Sequence, residues 1–321
     1  MTPLHVACFV AEPISLRLLL DHVDIDVNAC IVAEPSPESL IYEGYTALCF
    51  LFMYNMTTDV GYCQFRNLQD QPENIVTIVN RRHDCAKMLL ADPRVDVNQG
   101  SEFDTVLGLA ALYDETILRM LLQRDDIDVN KGSSFEDTTA LVRVVEHDNV
   151  PVLQLFLGDL RLNVNRRGSV MGETALIVAV AQNNIAMVDM LLQDTLYGLV
   201  NTCPLWRSLV MTFLLCNSAM PAPVNIILMK MIFSFLRQPI EVNAQLNDSF
   251  EENSPMSENF QPGATALSLA ALNGNLECLN LLLAHRDIDA SKQDGYGQTP
   301  LQLARSGLYP ECVAALQEHL A

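Results

Sequence analysis

Six histidines, nine cysteines and 39 acidic residues give this chain of 321 residues ample side chains for catalysis. Spacing decides whether they could work together. His5, His22, His83, His147, His285 and His319 are far apart, and none belongs to an H-E-x-x-H pair or a Cys/His spacing that could hold a metal. No glycine-rich loop of the kind that cradles phosphate is present. His147 stands between Glu146 and Asp148, but such a polar triplet ordinarily forms a solvated face. Carboxylates occur all along the chain, so no acid–base pair stands out. The cysteines are odd in number and include no C-x-x-C, which reads as reduced thiols in a cytosolic or nuclear setting. The pattern predicts no enzyme, no cofactor and no metal centre.

Charge removes further classes. The net charge is −20, only four of the 19 basic residues are Lys, and no basic run is longer than Arg81-Arg82 or Arg166-Arg167. A polyanion would be repelled, so nucleic acid is not an expected partner. Residues 1–20 lack a basic leader and carry Glu12 and Arg17, unlike a secretory signal. The most apolar stretch, 208–236, is broken by Asn217, Pro221, Pro223 and Lys230. Its halves fall short of the roughly 20 residues that span a bilayer, so buried helices are expected there.

The elements that would position any site come from a repeat. A threonine-led motif, Thr2-Pro3-Leu4-His5-Val6-Ala7, returns at Thr46, Thr105, Thr139, Thr174, Thr265 and Thr299. Three of the gaps between these threonines are 34, 35 and 34 residues. A Leu-Leu pair and an Asp-Val-Asn ending follow, as in Leu19-Leu20 with Asp26-Val27-Asn28, Leu89-Leu90 with Asp96-Val97-Asn98, and Leu121-Leu122 with Asp128-Val129-Asn130. Weaker endings are Asn165, Asn201 and Asn243. Thr is a good helix N-cap and Pro fits the first helical turn. Ile117, Leu118, Leu121 and Leu122 recur at helical spacing with Arg119, Gln123 and Arg124 between them, one apolar stripe per second helix. Such a unit must stack on neighbours to bury that stripe. Cys85, Cys278 and Cys312 share one register position with Ile117, Val152 and Met187, so the position reads as a core slot and not a redox or metal site.

On these residues the chain resembles the ankyrin-repeat family, whose T-P-L-H-x-A signature and period near 33 it shows over nearly its whole length. The resemblance implies an all-α solenoid of helix-turn-helix units with hairpin-like fingers, in one domain over 1–321. The approximate units are 1–28, 44–98, 103–130, 137–165, 172–201, 202–243, 263–291 and 297–321, with insertions at 29–43, 54–73 and 244–262. The sixth is the most degenerate, with Cys203-Pro204-Leu205 in place of Thr-Pro-Leu and helices expected over 205–216 and 224–236. The first unit has no polar cap, so its outer face should be exposed and apolar, suiting a truncated array, a partner or a late start. Pro72-Glu73 should restart a helix running to Leu90. The family implies that His5 ties its turn together by hydrogen bonds.

The resemblance also implies a noncatalytic protein-binding scaffold, with its partner on the concave surface of fingers and first helices. Asp104, Glu173 and Gln298 are expected there from the fingers, and Leu112, Tyr113, Glu146, His147, Gln182 and Asn273 from the first helices. Phe103 and Phe135 add aromatic anchors beside acids, a combination suited to a protein partner with a basic or mixed surface, although both could instead pack onto the next finger. A cytoplasmic or nuclear monomer is expected. The alternatives are a membrane-proximal docking module using the apolar unit around 205–236, or the recognition part of a larger enzyme or secreted effector. Modification has two candidate sets. Ser36 and Ser254 precede prolines in the long insertions. Asn28, Asn98 and Asn130 resemble the asparagines that an asparaginyl hydroxylase modifies in this family, the plainer reading being that each caps its finger turn.

Overall fold

The computed structural model describes residues 1–31, 44–52, 75–101, 104–134, 137–159, 161–168, 171–193, 240–247 and 261–321. They fall into two compact units, Met1–Val144 and Val145–Ala321.

In the first unit, α1 (Pro3–Val10) packs on α2 (Pro13–Leu20), and α2 on α3 (Ile75–Ala91). A single 3-10 turn, Cys49–Leu51, stands where the second repeat should have a first helix, touching α1 and α3. Then α4 (Val106–Tyr113) packs on α5 (Glu115–Leu122), and α5 on α3. The boundary between the units falls inside α6 (Ala140–Glu146). The second unit continues with α7 (Val150–Leu157), α8 (Ala175–Ala181), α9 (Ile185–Gln193), α10 (Ala266–Asn273), α11 (Leu276–Leu283), α12 (Pro300–Ser306) and α13 (Pro310–Leu320). There α8 lies on α9, α10 on α11 and α12 on α13, and like helices stack: α8 on α10, α10 on α12, α9 on α11, α11 on α13.

Local chemistry explains the starts. The hydroxyls of Thr105, Thr174, Thr265 and Thr299 accept the amides of Gly108, Ile177, Ser268 and Gln302, satisfying donors that the first turn leaves open. Thr2 differs: its hydroxyl lies 2.7 Å from His5 Nδ1. The Thr2 amide also donates to Nδ1 at 3.2 Å, and His5 Nε2 is 3.1 Å from the Tyr45 carbonyl. With Nδ1 as the acceptor, Nε2 carries the proton and donates to Tyr45, so a neutral ring ties the turn as expected and also joins the first repeat to the second. Burial lowers the His5 pKa, and the bond to Tyr45 offsets part of that.

The shared cysteine slot is core. Cys85, Ile117, Val152, Met187, Cys278 and Cys312 are all at most 2% exposed. Burial pushes the Cys85 and Cys278 thiols up to about 11, which suppresses thiolate and leaves each a small apolar filler. The outer face of the first repeat is apolar and open, with Val6 47%, Ile14 73% and Leu18 69% exposed. The last helix ends in exposed Gln317, Glu318 and His319.

The second unit overturns one expectation. A stacked repeat over 202–243 would separate α8 and α9 from α10 and α11, yet those pairs pack directly on one another. Asn275 Nδ2 donates to the Val180 carbonyl at 3.3 Å, and Cys278 Sγ lies 3.4 Å from Asn183 Oδ1. Among the described residues no repeat stands between 172–193 and 263–291. The helices expected over 205–216 and 224–236, with Trp206, lie outside the described residues. So do most of the insertions 29–43, 54–73 and 244–262.

Candidate protein-binding surface

The fingers are built from the Asp-Val-Asn endings. Each finger closes on itself through backbone bonds: Ser101 to Asp104 at 2.8 Å, Ser133 to Thr138 at 3.1 Å, Gly168 to Glu173 at 3.0 Å, Leu246 to Ala264 at 3.0 Å and Asp294 to Gln298 at 3.0 Å. Within each ending the first polar residue makes the turn. Asp26, Asp96 and Asp128 accept the amides of Asn28, Asn98 and Asn130 at 3.0, 2.8 and 2.9 Å.

For Asn28 and Asn98 the reading in which the asparagine caps its own turn is therefore corrected. Its side chain reaches the next finger instead. Asn28 donates to the Arg94 carbonyl at 2.7 Å and accepts the Asp96 amide at 2.8 Å. Asn98 repeats this with Asp126 and Asp128, both at 2.7 Å. In the second unit Asn243 pairs with Asp287 at 2.6 Å and Asp289 at 2.8 Å. The physical reason is reach: once Asp fixes the turn, the primary amide offers one donor and one acceptor, matching the carbonyl and N–H of an adjacent strand-like segment. Arg94 adds a second tie, pairing with Asp92 at 2.6 Å while donating to the Leu20 carbonyl at the end of α2 at 2.7 Å. Arg124 does the same with Asp126 and with Leu90 in the last turn of α3. A cation at a helix C-terminus also complements the helix dipole. Its Arg94 partner holds the Asp92 carboxyl below the usual range.

The expected contact residues divide by location. In the first unit, Asp104 is half-buried and already engaged: the Tyr45 hydroxyl lies 3.5 Å away and Arg143 Nε 3.6 Å away. Asp104 thus joins the second, third and fourth repeats within that unit. Burial and the Asp104 charge push the Tyr45 hydroxyl up strongly. Leu112 and Tyr113, at the end of α4, are half-buried. In the second unit Glu146 is half-buried and His147 exposed, and Gln182, also exposed, donates to the Glu146 carbonyl at 3.0 Å. Asn184 Nδ2 meets Asp148 Oδ1 at 2.6 Å. Asn273 is exposed at the end of α10, beside the turn whose Asn275 reaches back to Val180. Glu146, His147, Gln182 and Asn273 therefore share the edge where first helices turn into second helices. Glu173 folds over its own finger: a Cβ on Gly168 would lie 2.0 Å from its carboxylate. Gln298 is exposed in the last finger. Phe103, Phe135, Ser36 and Ser254 lie outside the described residues.

Two features escaped the sequence reading. Tyr296, at the tip of the last finger, is 65% exposed. Its neighbours Asp294, Gly295 and Gly297 signal a tight hairpin that holds it out. The helix–helix turns carry left-handed backbone at Ala11, Asp148, Asn183, Gly274 and Leu308, of which only one is glycine. Among the described residues no group of His, Cys, Asp and Glu could hold a metal ion, and no helix is long and apolar enough to cross a membrane.

Comparison with known proteins agrees with this architecture. A family model for ankyrin repeats (3 copies) matches residues 107–198 and 232–321. No curated protein matches the sequence. Among solved structures, the chain is similar to the crystal structure of the ankyrin repeat domain of Bcl-3, a unique member of the IkappaB protein family. The identity is 17% and the TM-score 0.57, covering 99% of this chain and 98% of that one. At that identity the likeness speaks for the fold. With more than half its length matched by the family model, and with paired helices and fingers stacked in register, the chain belongs to the ankyrin-repeat family.

Proposed function

We propose that this protein is a noncatalytic scaffold that takes a protein partner on the concave surface made by its fingers and first helices. One observation carries the reading. The repeating asparagines Asn28, Asn98 and Asn243 are consumed by finger-to-finger bonds, and the side chains of Asp26 and Asp96 by their own turns. The residues that vary between repeats, His147, Gln182, Asn273, Tyr296 and Gln298, hold exposed side chains on the finger and helix-turn edges. An exposed aromatic within an acidic chain suits a partner with a basic or mixed surface.

The test is capture of partners at low and high salt by the parent protein, by a Gln182→Ala, Asn273→Ala, Tyr296→Ala variant, and by Arg119→Ala on the exposed side of α5. Specific capture should fall at least tenfold in the triple variant and stay unchanged in Arg119→Ala. Equal capture by all three would remove this surface from the function. Loss of capture at high salt would assign the acidic charge a steering role. Cytoplasmic or nuclear residence as a monomer fits the reading and is checked by imaging and by sedimentation. Hydroxylation of Asn28, Asn98 or Asn130 would show as a mass gain of one oxygen.

A further inference from the structure

The direct packing of α10 on α8 leaves a question of chain continuity: how the segment after α9 reaches the finger before α10. Sequence and contacts answer together. In an unbroken repeat, residues 121–130 read Leu-Leu-Gln-Arg-Asp-Asp-Ile-Asp-Val-Asn. Leu191, Leu192 and Gln193, read on from Arg237, give Leu-Leu-Gln-Arg-Gln-Pro-Ile-Glu-Val-Asn. Helix α9 ends at Gln193. Ile240 and Val242 are 8% and 2% exposed, filling the places that Ile127 and Val129 fill at 4% and 1%.

The hydrogen bonds agree. Asn165 accepts the Glu241 amide at 2.7 Å, the same bond that Asn98 makes with the Asp128 amide at 2.7 Å. Were Val200-Asn201 the ending of the fifth repeat, its neighbourhood and not Glu241 would meet Asn165. Arg167 donates to the Gln245 carbonyl at 2.9 Å, and the Asn247 amide to the Met171 carbonyl at 2.7 Å, so the two fingers are adjacent along their length. The family model likewise passes over 199–231 between its two matches.

We infer that Ile240–Asn243 is the finger ending of the repeat of α8 and α9, so that the repeat of α10 and α11 follows it directly and the repeat pattern resumes in phase after the sequence 194–236. Among the described residues the packing and the finger ladder run up to Gln193 and resume at Ile240. The inference is independent of any binding activity.

Two measurements test it. In the full chain, Ala186→Cys and Glu277→Cys place thiols on exposed, register-equivalent positions of α9 and α11. Neighbouring helices lie about 8–10 Å apart, and an interposed unit would about double that. A bismaleimide of about 8 Å span should join the two peptides in high yield, identified by mass spectrometry. Both thiols reacting with a monofunctional maleimide while no link forms would overturn the inference. The second measurement compares two excisions. Joining Gln193 to Arg237 should leave the thermal midpoint within about 3 °C of the parent. Joining Asn201 to Ala244, which would be neutral if 202–243 were a repeat, removes Glu241 and Asn243 and should lower it by about 8 °C or more. Equal midpoints, or the reverse order, would sink the proposal.

Discussion

The finger edge and the helix-turn edge of the same repeats are held by different means. At the fingers, side chains bond to backbone across repeats: Asn98 bridges Asp126 and Asp128, and Arg94 reaches the end of α2. At the helix turns, the backbone itself carries the geometry through left-handed residues such as Gly274 and Leu308, with few ties such as Gln182 to Glu146. Specific hydrogen bonds demand the same residue each time. A left-handed turn asks only for a tolerable one, so the helix-turn edge is free to vary. That is why the regular asparagines build structure while the irregular residues beside the turns keep exposed side chains, the surface proposed above for recognition.

The largest effect should come from Gly274→Ala. The position has φ +70°, and a Cβ there would sit 2.4 Å from the Tyr309 ring. A loss of about 2–3 kcal/mol is expected in urea unfolding, part of it recovered when Tyr309→Ala is added. If Gly274→Ala proved neutral, the turn edge would not depend on backbone geometry. Asn98→Ala, at the fingers, should cost about 1–2 kcal/mol by removing both bonds to the next finger. Hydrogen exchange at the Asp128 amide should speed up in the same variant; unchanged exchange would break the ladder account. Leu308→Gly should raise stability by about 1 kcal/mol, because Leu308 is 84% exposed at φ +60° and leaves little contact behind.

A pH effect sharpens the contrast from the first repeat. Burial holds the folded His5 pKa below the ordinary histidine value of about 6.5, so the unfolded chain binds its proton first as pH falls. His5 therefore contributes fully above about pH 6.5, and its contribution declines as pH drops toward the folded pKa. His5→Asn should flatten that part of the stability profile, and an unchanged slope would remove His5 from it. Smallest of all, Gln182→Ala should change stability by under about 0.5 kcal/mol while weakening partner capture.

Much of the fold was legible because its signals are local. Thr105 and Thr265 read as caps since a hydroxyl and an amide three residues on meet in any helix start. The slot shared by Cys85, Ile117 and Cys278 read as core because its chemistry alternates while its size and apolarity persist. The asparagine role was misread because its partner is a backbone, and a backbone has no sequence to display. The ties of Asp104 were not legible: it stands at a finger base, where Tyr45 and Arg143 converge only after repeats stack. The joint after α9 was hidden by Val200-Asn201, which imitates a repeat ending.

The sequence alone determined that the chain is a row of capped helix pairs and that each pair carries an apolar stripe. Periodicity and capping act within one unit, where near neighbours in the chain are near neighbours in space. Which pair lies against which was decided by the tertiary structure. Stacking satisfies Asn165 and buries Ile240 and Val242 by choosing the segment that fits the joint, however many residues the chain has threaded in between.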